Sequence, residues 1–240
     1  MKCDLLTPHA PALKRVHEWL TPSFPDWFKQ LPNTKDQFDV SRNDFEKNVK
    51  GCPSFVRLFK NSYLLRAPED VMIIGPQAGS RILFASGETE PSFQSVSSCD
   101  VAEMMHPSFE ETHINLLFTF KFILIADEPM EMVFLDPCYH LDKKSEMLTM
   151  TGTLQLHPKL YMPISLNMLM PKAAFNNKDT LFIRKGQPLA YLFFPGGKPK
   201  IEPRQITMDE WQIDHGYQKT NFQGNWIKEM DKLVAQGETT

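Results

Sequence analysis

The chain has 240 residues, 42% hydrophobic and 23% charged, the proportions of a folded domain rather than a disordered chain. A formal net charge of −3, with no basic run longer than a few residues, removes the electrostatic basis for binding duplex nucleic acid. No window reaches the roughly 20 apolar residues of a membrane span: INLLFTFKFILIA, from Ile114, is shorter and contains Lys121.

The first residues, MKCDLLTPHAPALKR, lack the apolar stretch of a secretory signal, so a cytoplasmic or virion-type location is expected. Cys3, Cys52, Cys99 and Cys138 show no CxxC spacing. They read as free thiols rather than a zinc ribbon.

Nineteen prolines against eleven glycines predict many short segments, because proline is excluded from helix interiors and central strands. PALKRVHEWL, with Pro11 near its start, predicts a short helix. In PSFPDWFKQLP the prolines at 22, 25 and 32 prevent a long one. Trp19, Phe24, Trp27 and Phe28 interleave with these prolines and are candidate interface residues of an arm. Such an arm either lies over the chain's own core or reaches another subunit.

From FVRLFKNSYLLRAPEDVMIIGP onward the texture turns toward strands: YLLRAP, DVMIIGP and SRILFASG are apolar runs punctuated by proline and glycine. HINLLFTFKFILIADEP predicts a long strand with Phe118, Phe120 and Phe122 on one face. EMVFLDPCYH, MLTMTGTLQLH and MPISLNMLMP continue the series. LFIRKGQPLAYLFFP predicts two runs folded back on each other around Lys185-Gly186, with Gly186 permitting the turn and Pro188 at a strand entry or edge. The fold class is therefore mostly β, a jelly-roll or β-clip type barrel or sandwich. The expected division is an N-terminal arm with a short helix over 1–50, the β domain over 51–205, and a C-terminal linker and helix over 206–240. In that last segment Trp226, Ile227, Met230 and Leu233 fall at helical spacing.

The stretch 150–195, with TGTLQLHPKLYMPISLNMLMP followed by the Lys-Gly corner, resembles the last barrel strands of the dUTPase and dCTP deaminase superfamily. The resemblance implies a β-clip fold and nucleotide binding or processing. At the position that would carry the deaminase general base, however, stands Asn167, which cannot shuttle a proton. The dUTPase phosphate-binding and glycine-rich C-terminal motifs are missing from the sequence. CPSFVRLFKNSYLLRAPEDV and PDWFKQLP are similar to segments of tailed-bacteriophage proteins, which implies a phage-encoded protein acting in the host cytoplasm or virion.

Other constellations are sparse. His140 and Asp142 have the His-x-Asp spacing of a non-haem iron oxygenase site, with His215 as a possible second histidine. The lysines that follow Asp142 favour a polar loop instead. Cys138 beside His140 reads as a loop cysteine near a solvated histidine, and Asp127, Glu128 and Glu131 as a solvated turn. PGGKPK, residues 195–200, could receive a phosphate through backbone amides but is followed by no helix signal, which favours an exposed turn. The sequence thus favours a non-enzymatic accessory or structural protein without catalytic residues or cofactor. It would assemble as a homo-oligomer, or with other phage-type proteins, through its arm and barrel edges. A nucleotide-binding or nucleotide-processing relative of the dUTPase and dCTP deaminase superfamily is the alternative, and a non-haem iron oxygenase the third reading.

Overall fold

The computed structural model describes residues 1–8, 10–31, 49–75, 81–84, 97–102, 111–140, 147–158, 163–175 and 180–209. These residues are mostly β, arranged in several sheets with no closed barrel among them. The chain opens with strand β1 (Lys2–Thr7), helix α1 (Ala10–Trp19), strand β2 (Leu20–Pro22) and helices α2 (Asp26–Gln30) and α3 (Pro53–Lys60). Strands β3 (Ser62–Arg66), β4 (Val71–Ile74), β5 (Arg81–Phe84), β6 (Ser97–Ala102), β7 (His113–Ala126) and β8 (Met130–Leu135) follow. Then come β9 (Leu148–Thr149), β10 (Gly152–Leu156), β11 (Pro163–Pro171), β12 (Thr180–Ile183), β13 (Pro188–Phe193) and β14 (Lys200–Gln205).

A six-stranded sheet has the order β14-β1-β7-β11-β9, with β6 also on β7. β6 pairs with residues 115–120 of β7 and β1 with residues 123–126, so these two strands share one edge of β7 in succession. β1 runs parallel to β14 and antiparallel to β7. A five-stranded sheet has the order β10-β8-β13-β3-β2, and a three-stranded sheet the order β12-β4-β5.

β7 alternates as its sequence predicts. Phe118, Phe120 and Phe122 are buried in one apolar cluster with Leu65, Leu189 and Leu192 of the five-stranded sheet and Ile73, Ile82 and Phe84 of the three-stranded sheet. Trp19, at the end of α1, enters this core 1% exposed, its ring 4.9 Å from Phe122 and 6.1 Å from Phe120. The opposite face of the five-stranded sheet is covered too. Leu64 and Tyr191 meet Phe28 of α2 and Phe59 of α3 in a second cluster. Cover on both faces explains why β13 is buried at every position from Leu189 to Leu192 instead of alternating.

The Lys185-Gly186 turn differs from the expected hairpin. β12 pairs with β4 and β13 with β3, in different sheets, so the two runs do not fold back on each other. The paired ribbon β3–β13 instead continues across a corner into the paired ribbon β4–β12. Both strands bend together, held where the Gly186 amide donates to the Ala67 carbonyl at 2.8 Å and the Ala67 amide to the Gln187 carbonyl at 2.9 Å. The Lys185 amide reaches Asp70 Oδ1 at 2.7 Å, and Arg66 Nη1 donates to the Gly186 carbonyl at 2.9 Å. Gly186 has φ +81°, the left-handed region its lack of a Cβ allows. Pro188 is the first residue of β13, the strand entry its missing amide calls for.

Two further differences concern helix and strand. FVRLFK, read as the start of strand texture, is helix α3: Pro53 occupies its first turn, where the missing amide costs nothing, and Phe55 and Phe59, four residues apart, share one face. Within the expected arm, the described strands join the sheets: β1 lies inside the six-stranded sheet and β2 edges the five-stranded one. The expected C-terminal helix around Trp226 to Leu233 lies outside the described residues. Among the described residues, no helix is long and apolar enough to cross a membrane.

Candidate interaction surface

The aromatic residues of the first segment divide by depth. Trp19 and Phe28 are buried in the chain's own core, at 1% and 6% exposure, and Phe24 packs at 5.5 Å on Phe59. Trp27, next to Phe28 on the short helix α2 and with its ring 5.9 Å from that of Phe28, is 41% exposed. Its indole nitrogen donates to the Tyr139 carbonyl at 2.8 Å, which fixes the ring against the surface.

Tyr139, 39% exposed, belongs to a 3-10 turn, Cys138–His140, at the end of β8. Phe55 of α3 bridges the two, with its ring 4.7 Å from Tyr139 and 6.2 Å from Trp27. Trp27, Phe55 and Tyr139 thus form one solvent-facing aromatic surface supplied by three separate segments. Sequence spacing gives no sign of it.

The turn beneath is anchored by His140, whose Nδ1 lies 2.7 Å from the Tyr191 hydroxyl. A neutral imidazole and the phenol share one proton between Nδ1 and the hydroxyl oxygen across this contact. Burial, and after it the nearby Arg66 cation, holds the His140 pKa down to about 4. Burial also pushes the Tyr191 phenol well above the usual range. Both groups are locked in uncharged forms and serve as struts.

This geometry bears on each candidate from the sequence. His140 faces the Tyr191 hydroxyl, while Asp142 and His215 lie outside the described residues. Among the described residues no three His, Cys, Asp or Glu side chains converge on a metal position. Asn167 is exposed on β11, its Oδ1 accepting from Asn115 Nδ2 at 3.3 Å. Asp127 accepts the Lys2 amide at 3.0 Å, which ties the β7–β8 turn to the start of β1. The PGGKPK segment is bound to the fold through Arg57 Nη2 to the Pro195 carbonyl at 2.9 Å, the Tyr63 hydroxyl to the Pro199 carbonyl at 2.8 Å, and Lys198 Nζ 4.3 Å over the Tyr63 ring.

What the fold defines is a layered β protein with a pinned aromatic surface. Compared with protein-family models, curated proteins and solved structures, the chain finds no match in any of the three.

Proposed function

We propose that the chain is a non-enzymatic accessory or structural protein that self-assembles, of the kind tailed bacteriophages encode. The observation that carries this reading is the surface of Trp27, Phe55 and Tyr139: Trp27 and Tyr139 stay 41% and 39% exposed while neighbouring Phe28 and Phe59 fill the interior. Rings of this size are the usual anchors of protein interfaces. Held by the Trp27–Tyr139 hydrogen bond, they lose little further freedom when a second surface covers them.

The test is the solution mass of the wild type against Trp27→Ser/Tyr139→Ser, measured by light scattering after gel filtration. The wild type is expected to be oligomeric, and the double variant to fall to a smaller species with an unchanged circular dichroism spectrum. An unchanged mass in the folded double variant overturns the reading.

A further inference from the structure

Arg66 is the last residue of β3, and strand alternation sets its side chain on the same face as Leu64, the face that α2 and α3 cover. Its Nε donates to Thr21 Oγ1 at 3.3 Å and its Nη1 to the Gly186 carbonyl at 2.9 Å. A guanidinium carries five N–H groups, so these two bonds leave most of its donors unused. The side chain is half-buried, which disfavours its charge, and only the Asp26 carboxylate opposes that penalty. Asp26 itself is ion-paired elsewhere, with Lys29 Nζ at 2.8 Å. Charges withdrawn from water are ordinarily paired, and Arg66 lacks a contact partner of opposite sign among the described residues.

His140 stands on the same side of the five-stranded sheet, its Nδ1 held by the Tyr191 hydroxyl, which leaves Nε2 for a ligand. The imidazole, held down first by burial and next by the Arg66 cation, also responds to Asp26 and Lys29 of α2. The end of β3, helix α2 and the 138–140 turn thus bring Arg66, Lys29, Asp26 and His140 to one polar site. Two cations against one carboxylate leave it with an excess of positive charge.

We propose that Arg66 anchors an anion-binding site, completed by Lys29 and His140, that takes a phosphate group. Phosphate suits it better than a carboxylate because a dianion answers two cations, and a guanidinium presents its N–H groups in the spacing of phosphate oxygens. The site borders Trp27, which follows Asp26 in α2, and Tyr139, which precedes His140. An ester carried by the phosphate would therefore reach the aromatic surface. Binding at this site needs no second copy of the chain and stands apart from self-assembly.

The test is an NMR titration of the full chain with inorganic phosphate, at constant ionic strength and with chloride as the control, following the Arg66 Nε–H signal and the His140 ring. Both signals should shift saturably with phosphate and not with chloride. Arg66→Gln should weaken binding by about tenfold or more, the loss expected when a charged donor pair is removed. Asp26→Asn should tighten binding and Lys29→Gln weaken it, each by about threefold, the scale of one exposed charge. Phenyl phosphate tells the sources apart: tighter binding than inorganic phosphate marks a phosphate ester as the ligand, and equal binding the free ion. No saturable shift at Arg66, or the same shift with chloride, overturns the site. Should Arg66→Gln fail to fold, the two α2 variants decide, because the side chains of Asp26 and Lys29 are 85% and 62% exposed and their loss leaves the core intact. Phosphate affinity unchanged in both overturns the proposal.

Discussion

His140 Nδ1 and the Tyr191 hydroxyl, 2.7 Å apart, join the surface turn of residues 138–140 to the buried strand β13. The imidazole also stands edge-on to Phe59, with ring centroids 6.4 Å apart, and faces the charges of Arg66, Asp26 and Lys29. Its folded pKa, near 4, lies below the unfolded value of about 6.5. The neutral form is therefore the one the fold favours. The stability this gives is fully present above about pH 6.5 and is lost as pH falls toward 4. In an NMR titration the His140 midpoint should lie well below that of an exposed histidine. Tyr191→Phe should cost about 1 kcal/mol, the usual net worth of one hydrogen bond, and leave the midpoint low, because burial is its chief cause. A midpoint that returns to that of an exposed histidine in the folded variant would mean that the hydroxyl, not burial, holds it down.

Trp19 and Trp27 should respond oppositely to truncation. Trp19 is 1% exposed between Phe120 and Phe122, so Trp19→Ala should cost about 3–5 kcal/mol through the lost burial and the cavity it leaves. Trp27→Ser gives up an exposed ring and one hydrogen bond, and should cost about 1 kcal/mol. Urea denaturation curves measure both. Equal losses would mean that Trp27 belongs to the core and would weaken its place in an interface.

The parts of this fold legible in sequence are those with local causes. The phenylalanines of β7 recur with period two, Gly186 sits where the chain needs positive φ, and Pro188 marks a strand entry. The missed parts depend on partners distant in sequence. β1 and β14 are short, and β14 includes Pro203, yet they pair in parallel across almost the whole domain. α3 was hidden because its apolar residues can be read at either period and Pro53 punctuates strands as well as helix starts. The aromatic surface escaped for the same reason: Trp27 is one of four interface candidates that sequence does not tell apart, and Phe55 and Tyr139 reach it only through the packing of α2, α3 and β8.

The corner gives a prediction that separates backbone strain from steric clash. A Cβ at Gly186 would meet nothing within 4 Å, so a substitution there is penalised through its φ of +81° alone. Gly186→Val should cost about 1–3 kcal/mol, and Gly186→Asn less, because asparagine tolerates the left-handed region better than a β-branched residue. Thermal unfolding of the two variants tests the order. Equal stability of valine and glycine at this position would mean that the turn relaxes to another conformation.

Thiol reactivity provides a direct check on the layering. Cys3 is fully buried in the core and its thiol is pushed up to about 12, chiefly by burial and then by the Asp127 and Asp4 carboxylates. Cys99 is also buried, whereas Cys52 and Cys138 are exposed. Burial and then Asp136 raise the Cys138 thiol as well, and the thiolate is the reactive form. In native protein, an aromatic disulfide reagent should therefore modify Cys52 and Cys138 alone, with Cys138 slower than a free thiol at neutral pH and accelerating as pH rises. Denaturant should release Cys3 and Cys99 together, because they share the central apolar cluster. Reaction of Cys3 in the native state at the rate of Cys52 would mean that β1 does not stay inserted between β14 and β7.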